Sequence, residues 1–230
     1  MLPLPKVDPV SIPIHNDSQR FSVRRVYCVG RNYADHAIEM GDTGREPPFF
    51  FLKPADALFP VPADLPTDWP YPMATEDCHH EVELVVALAC GGKNLTPSQA
   101  AACIWGYALG LDMTRRDRQG EMKKAGKPWE IGKAFDHGAP IGPLVPVGER
   151  GLLTSGAISL SVNGVARQAG DLSQLIWPLA EMMSELSKAW TLEAGDLIYT
   201  GTPAGVGPVV RGDRVDAQFD GLPALSIRVI

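Results

Sequence analysis

Hydrophobic and polar positions along the chain predict a series of short strands separated by turns. Apolar runs at 25–30, 84–89 and 104–111 each have the length of a buried strand. Residues 158–162 alternate between apolar and polar, and the following Asn-Gly pair predicts a tight turn into a returning strand at 165–168. Further strands are expected after Gly195 and at the end of the chain, so the last third is strand-rich.

Helix signals are fewer. Thr96, followed by a proline and alanines, has the chemistry of a helix start, and Asn32 can cap a short helix that ends at Gly41. Apolar residues at helical spacing between 172 and 190 predict a helix pair with a break or a new start at Pro178. We expect these helices to pack on the sheet.

Length and composition fit one compact domain. The chain has 230 residues, 45% of them hydrophobic, so it can bury a large core. Eight prolines between 47 and 72 predict extended surface chain there rather than a regular element. We expect an irregular leader at 1–22 and a single domain at 23–230.

Charge and cysteine usage exclude several function classes. A net charge of −6 and a pI near 5.4 argue against nucleic acid and anionic membranes as partners. The four cysteines lack Cys-x-x-Cys pairing, so neither a zinc knuckle nor a redox motif is visible. No apolar run approaches the roughly 20 residues of a membrane helix, and a secretory signal pattern is missing. We therefore expect a soluble cytoplasmic protein with reduced thiols.

Two glutamates two residues apart are the most informative feature of the sequence. On a strand, positions i and i+2 share a face, so Glu81 and Glu83 point the same way. Ionised carboxylates side by side repel each other unless a proton or a cation lies between them. Asp112, after the next predicted strand, is a third candidate ligand, and carboxylates alone favour Mg²⁺, Mn²⁺ or Ca²⁺. The sequence predicts an all-oxygen metal site, with a solvent-facing strand edge as the alternative.

A second group combines a base with cations. On the predicted helix after Asn32, His36 and Glu39 are i, i+3 neighbours, so the carboxylate can orient the imidazole as a base. Residues 114–133 carry seven basic side chains against three acidic ones, which favours an anionic substrate. A solvated, charged helix face is the alternative in both cases.

Several motifs follow one another in a fixed order from about residue 25 to the end of the chain. They are 30–36 (GRNYADH), 51–54 (FLKP), 79–84 (HHEVEL), 110–117 (GLDMTRRD), 132–136 (GKAFD), 162–164 (VNG) and 195–207 (GDLIYTGTPAGVG). In this order they resemble the fumarylacetoacetate hydrolase family. Three further segments, 54–58, 82–88 and 126–129, are similar to the small fumarylpyruvate and acylpyruvate hydrolases of that family.

This resemblance implies an α+β fold, mainly β, with a mixed β-sheet roll and short flanking helices, in a homodimer. It implies Mg²⁺ or Mn²⁺ held by Glu81, Glu83 and Asp112. The implied reaction is hydrolysis of a carbon–carbon bond in a 2,4-dioxo acid, above all fumarylpyruvate, to fumarate and pyruvate. The substrate is then a small dicarboxylate or 2-oxo acid, and 23–230 is the catalytic domain.

The resemblance also assigns roles to other residues. His36, oriented by Glu39, would take a proton from the attacking water, and Lys133 would assist the charge of the departing enolate. The residues expected to contact substrate are Arg31, Lys53, Arg116, Gln119 and Thr202. Alternatives are a surface charge for Lys133 and a simple tight turn around Thr202.

Two other functions stay open. An oxaloacetate-type 2-oxo acid decarboxylase or a 2-hydroxydienedioate isomerase would use the same metal-stabilised enolate without activating water. A noncatalytic carboxylate- or Ca²⁺-binding module is disfavoured, because such a module does not need a base and a lysine beside the metal. Pyruvate release with and without EDTA separates the three possibilities.

Overall fold

Strands dominate the structure, a computed structural model that describes residues 8–33, 46–63 and 65–230. In chain order the strands are β1 (Ser11–Pro13), β2 (Arg20–Ser22), β3 (Val26–Gly30), β4 (Phe49–Lys53), β5 (Leu58–Pro60), β6 (Thr67–Trp69), β7 (Cys78–His80), β8 (Val82–Leu88), β9 (Ile104–Leu111), β10 (Thr114–Arg115), β11 (Ala139–Ile141), β12 (Val145–Pro146), β13 (Ala157–Val162), β14 (Val165–Asp171), β15 (Leu197–Tyr199), β16 (Gly207–Val209), β17 (Arg214–Phe219) and β18 (Leu225–Val229). The helices are α1 (Pro97–Ala102), α2 (Arg116–Ala125), α3 (Glu130–Lys133), α4 (Val147–Arg150) and α5 (Leu179–Ala189), with 3₁₀ turns at Ala55–Ala57 and Leu172–Gln174. The expected α+β, mainly β class is confirmed.

A mixed sheet of eight strands forms the centre. Its order is β4, β3, β15, β8, β9, β11, β5, and β12 pairs with β9. Strand β8 is buried along its whole length. Its even-numbered residues pack into one hydrophobic cluster, whereas Val85 and Ala87 pack into a second one. Because side chains alternate along a strand, apolar core covers both faces of this sheet.

A five-stranded sheet carries the predicted hairpin. Its order is β14, β13, β17, β18, β6, and Val162 pairs with Val165 across the turn. Asn163 and Gly164 adopt positive φ angles of 52° and 76°, as a tight two-residue hairpin turn requires. The hairpin prediction is confirmed.

The proline-rich stretch at 47–72 differs from its prediction, because β4, β5 and β6 form within it. All three are the outermost strands of their sheets. An outermost strand needs only one set of ladder hydrogen bonds, so it tolerates prolines at its ends and on its free side. Proline density therefore marked sheet edges rather than an absence of strands.

Two other segments also need correction. The expected irregular leader contains β1 and β2, which pair antiparallel. Ile12 of β1 is fully buried in the core. The expected helix pair at 172–190 is a 3₁₀ turn followed by the single helix α5, with Pro178 as its N-cap. Thr96 caps α1 as predicted, since its hydroxyl accepts from the backbone N–H of Gln99.

Over the described ranges, no helix has both the length and the apolar composition needed to cross a membrane.

Candidate metal centre

Three carboxylates converge at the ends of two adjacent strands. Glu83 lies on β8, Glu81 is the residue directly before β8, and Asp112 is the residue directly after β9. Val82 pairs with Leu111, and the backbone N–H of Asp112 donates to the carbonyl of Glu81 at 2.8 Å. One ligand oxygen from each carboxylate lies within 4.8 Å of the other two. Glu81, Glu83 and Asp112 are only 5%, 2% and 1% exposed, so the alternative of a solvent-facing strand edge is wrong.

The donor set suits a hard divalent cation. Such ions bind oxygen at about 2.0–2.6 Å, so two oxygens on one ion can lie up to roughly twice that distance apart. The three ligand oxygens all lie within 4.8 Å of one another, which is inside this limit. Burial raises the pKa of the Glu83 carboxyl well above its ordinary value, and the charges of Asp112 and Glu81 raise it further. A cation among the three carboxylates would relieve that repulsion, so these residues fit a metal site.

The ammonium of Lys133 contacts two of these carboxylates. It donates to Glu81 Oε2 and to Asp112 Oδ2, both at 2.7 Å, and to the Thr114 hydroxyl at 2.6 Å. Lys133 ends α3 and is 3% exposed, so the alternative of a surface charge is wrong. Burial by itself lowers the pKa of this ammonium, but Asp112 and Glu81 outweigh burial and raise the pKa above its ordinary value. Lys133 therefore stays protonated and can donate to developing negative charge.

Arg116 contacts the other oxygen of Glu81. Its guanidinium donates to Glu81 Oε1 and, at 2.6 Å, to Gln119 Oε1. Arg116 begins α2 and Gln119 lies one turn later, so the i, i+3 spacing places both on one face. Because the guanidinium can only donate, Gln119 must turn its oxygen towards Arg116 and keeps its amide N–H groups as donors. The pair therefore offers donors to an anionic ligand.

The basic run divides between the pocket and the solvent, and the anionic substrate stays a prediction. Arg116 and Lys133 line the pocket beside the carboxylates. Lys123, Lys124 and Lys127, in contrast, are solvent-exposed. The cationic character of the pocket thus comes from individual positions within the run.

Lys53 lies behind the carboxylates. Its side chain is buried, and its ammonium lies 2.8 Å from Asp112 Oδ1 without the angular geometry of a hydrogen bond. The ammonium donates to the backbone carbonyls of Met113, at 3.1 Å, and Lys133. The structure therefore places Lys53 beside a candidate metal ligand rather than along the pocket, where a substrate contact was expected.

The buried side-chain amide of Gln168 connects the glycine-rich turn to the chain on either side of Glu81. Gln168 Oε1 accepts from the backbone N–H of Val82 at 3.1 Å and lies 2.9 Å from Nδ1 of His80. Gln168 Nε2 donates to the Thr202 hydroxyl at 2.7 Å and to the carbonyl of Pro203 at 2.8 Å. A carbonyl only accepts, which fixes the orientation of the amide. The Thr202 hydroxyl accepts from Gln168, so its proton is available to a ligand.

The backbone of the same turn reaches the third carboxylate. Gly201 donates its N–H to Glu83 Oε2 at 2.8 Å. Its φ is +101°, and a Cβ there would lie 2.8 Å from the Cβ of Asn32, so only glycine fits without strain. The turn around Thr202 is therefore part of the site and not merely a tight connection.

One pocket is lined by the three carboxylates together with Lys133 and Arg116. Its lining residues are Val29, Gly30, Arg31, Phe49, Phe51, Glu81, Glu83, Asp112, Arg116, Gln119, Trp129, Lys133 and Thr202. The structure thus brings together the three predicted metal ligands, Lys133 and four of the five predicted substrate contacts.

Sequence reasoning missed two kinds of residue. The first is the aromatic lining: Phe51 and Trp129 lay in segments quoted for the family resemblance and Phe49 lay just outside them, but no role followed from their type alone. Phe49 is 37% exposed. Gln168 had no local signal, because its four partners come from two distant segments, 80–82 and 202–203.

The predicted base lies outside the described residues. His36 and Glu39 fall within 34–45, so their pairing stays a prediction. Asn32, expected to cap their helix, uses its side-chain oxygen to accept from the backbone N–H of Trp177 at 2.8 Å. Its amide nitrogen donates to the carbonyl of Thr200 at 2.9 Å. Asn32 therefore anchors the chain next to the glycine-rich turn.

Comparison with known proteins gave consistent matches. The family described as fumarylacetoacetate (FAA) hydrolase C-terminal matches residues 25–230. The solved structure of fumarylpyruvate hydrolase from Pseudomonas aeruginosa, in complex with Mn²⁺ and pyruvate, is 55% identical with a TM-score of 0.96. That match covers 100% of this chain and 99% of the neighbour.

Two curated relatives carry a different activity in their names. Oxaloacetate tautomerase YcgM of Escherichia coli (strain K12) is 42% identical over 91% of this chain and 94% of the relative. The mitochondrial oxaloacetate tautomerase FAHD1 of Mus musculus is 41% identical over 90% of this chain and 91% of the relative.

Proposed function

The chain belongs to the fumarylacetoacetate hydrolase C-terminal family, and on that premise we propose that it is a metal-dependent hydrolase that cleaves fumarylpyruvate to fumarate and pyruvate. The observation that carries the proposal is the buried cluster of Glu81, Glu83 and Asp112 in contact with Lys133. The similarity to a fumarylpyruvate hydrolase described with Mn²⁺ and pyruvate supports the same substrate class.

The reaction requires a stabilised carbanion equivalent. Water adds to the acyl carbonyl carbon, the bond from this carbon to the methylene carbon breaks, and the electron pair leaves as the enolate of pyruvate. Protonation of the methylene carbon then completes pyruvate. A divalent cation held by Glu81, Glu83 and Asp112 would supply Lewis-acid stabilisation to the oxygens of the pyruvyl end.

The described side chains have distinct tasks in this scheme. Lys133, protonated at the edge of the carboxylate cluster, donates a hydrogen bond to the oxygen on which enolate charge develops. Arg116 and the amide of Gln119 hold the carboxylate of the pyruvyl end. The Thr202 hydroxyl, oriented by Gln168, donates to the bound ligand. Proton removal from water is assigned to His36, and this assignment rests on the family resemblance alone.

Keto–enol tautomerisation of oxaloacetate is a second candidate, favoured by the names of two curated relatives. It uses the same enolate stabilisation, and it requires proton transfer at carbon but no addition of water. The cluster with Lys133 and Arg116 would serve either reaction. The two reactions differ in whether water adds to an acyl carbonyl carbon.

The test measures both reactions on one preparation. Pyruvate release from fumarylpyruvate and acetylpyruvate, and enol-to-keto conversion of oxaloacetate, are followed with Mn²⁺, with Mg²⁺ and with EDTA. We expect fumarylpyruvate cleavage that requires the metal and disappears in Glu83→Gln. The exposed Glu130→Gln, on α3, is the matched control and should retain activity. Metal-dependent tautomerisation without any pyruvate release would reject the hydrolase and favour the second candidate.

The homodimer implied by the family resemblance remains a prediction. Light scattering coupled to gel filtration tests it, and a mass near 24.8 kDa, that of one chain, would contradict it.

A further inference from the structure

Three aromatic rings form a row along one wall of the pocket. The ring centroid of Phe51 lies 6.3 Å from that of Trp129, which lies 5.3 Å from that of Phe49 at an angle of 89°. At one end of the row, Lys133 Nζ lies 5.1 Å from the centroid of Phe51. At the other end, the Arg31 guanidinium carbon lies 5.8 Å from the centroid of Phe49. The row therefore connects the carboxylate cluster to a second, separate cation.

The sequence builds this row with local devices. Phe49 and Phe51 occupy positions i and i+2 of β4, so they share a face. Gly30 pairs with Phe49 in the ladder, and a Cβ on Gly30 would lie 2.0 Å from Cζ of that ring. The missing side chain lets the Phe49 ring lie across β3. Trp129 precedes α3, and its carbonyl accepts from the N–H of Lys133 at 3.0 Å. The ring and the catalytic ammonium are thus held by one helical turn.

We propose that this row and Arg31 form the subsite for the acyl part of the substrate, and that they select a flat acyl chain ending in a carboxylate. The inference rests on the proposed hydrolase function, and it names the feature that separates fumarylpyruvate from shorter acylpyruvates. A conjugated acyl chain is planar and lies against aromatic faces. A guanidinium is permanently charged and matches a carboxylate with two parallel hydrogen bonds. Acetylpyruvate reaches neither feature.

The first test compares two substrates across matched variants. In Arg31→Met, the ratio of kcat/KM for fumarylpyruvate to that for acetylpyruvate should fall by about 30-fold or more, as loss of a charged hydrogen-bonding pair predicts. Arg31→Lys should recover part of this ratio, and Trp129→Leu should lower it through KM. Arg31 has a positive φ of 55°, so its unbranched replacements add no strain. Arg211→Met is the control, because Arg211 also lies over an aromatic ring, 4.8 Å from Tyr71, but outside the pocket.

The second test does not depend on turnover. Fumarate, succinate and acetate are titrated calorimetrically into the Mn²⁺-loaded protein with pyruvate present. We expect fumarate to bind most tightly, and its Kd to rise at least tenfold in Arg31→Met but not in Arg211→Met. Fumarate binding no tighter than acetate, or an unchanged substrate ratio in Arg31→Met, would overturn the subsite. If no pyruvate is released from any acylpyruvate while fumarate still binds through Arg31, the hydrolase function fails and the subsite stands.

Discussion

Replacing Lys133 with methionine tests the electrostatics of the centre. The ammonium donates to two carboxylates and one hydroxyl, all in the buried part of the site. Methionine preserves most of the side-chain volume and removes the charge. Two effects of opposite sign follow. Without metal the variant should be less stable, because the ammonium stabilises the metal-free cluster, and the variant should gain more stability from a cation, because the ammonium repels an incoming cation.

The expected magnitudes follow from burial. Removing one partner of a buried ion pair costs about 3–5 kcal/mol, because the other charge stays buried without compensation. In a domain of this size 1 kcal/mol corresponds to a shift in Tm of about 2–4 °C, so the Tm in EDTA should fall by roughly 6–20 °C. A divalent cation at 100 times its Kd stabilises a protein by about 2.7 kcal/mol. That gain should be larger in the variant, since Lys133 no longer opposes the cation.

The assay is thermal unfolding with EDTA and with increasing Mn²⁺, together with pyruvate release. Turnover should fall by about 10²–10³, the usual cost of losing one donor to a developing oxyanion. The exposed Lys124→Met, on α2, is the matched control and should change neither quantity. Equal Tm values for the two variants in EDTA, or weaker stabilisation by Mn²⁺ than in the wild type, would refute the reasoning.

Three further outcomes are expected. Glu83→Gln should fold but show no Mn²⁺-dependent rise in Tm, and a rise equal to that of the wild type would remove Glu83 from the metal site. Gln168→Leu leaves several buried groups without their partner, which should cost about 1–3 kcal/mol in urea unfolding. It should also lower kcat through the released Thr202 hydroxyl while Mn²⁺ affinity is kept; an unchanged kcat would contradict this. The Sγ atoms of Cys90 and Cys103 lie 2.9 Å apart, so hydrogen peroxide should join them in a disulfide with release of water. Intact mass should then show the loss of two hydrogen atoms, absent in Cys90→Ser, and only oxygen addition would contradict it.

Local sequence patterns were sufficient for many individual elements. The apolar run after Glu83 and the run before Asp112 became β8 and β9, and the turn at 163–164 became a hairpin, because periodicity and turn chemistry act over a few residues. The same reasoning failed at 47–72. Proline is compatible with an outermost strand, and which strand is outermost depends on pairing across the whole chain.

The family resemblance predicted more of the pocket residues than the local pattern did, because it relates residues that are far apart in the chain. Arg116 and Lys133, drawn from a run of charged residues, were named in advance and line the pocket. Lys53 was named as well, but it contacts Asp112 and the backbone behind the pocket. A motif identifies a residue type at a position, whereas the direction of its side chain depends on what packs around it.

The sequence by itself identified the candidate metal ligands. Glu81 and Glu83 share a face through the two-residue period of a strand, and Asp112 ends the strand that pairs with theirs. Only the tertiary structure decided what surrounds those carboxylates: Lys133 between two of them, Gln168 behind the turn, and an aromatic row leading to Arg31. The reason is that these contacts join residues far apart in the chain, and sheet register and helix packing, not local spacing, bring them together.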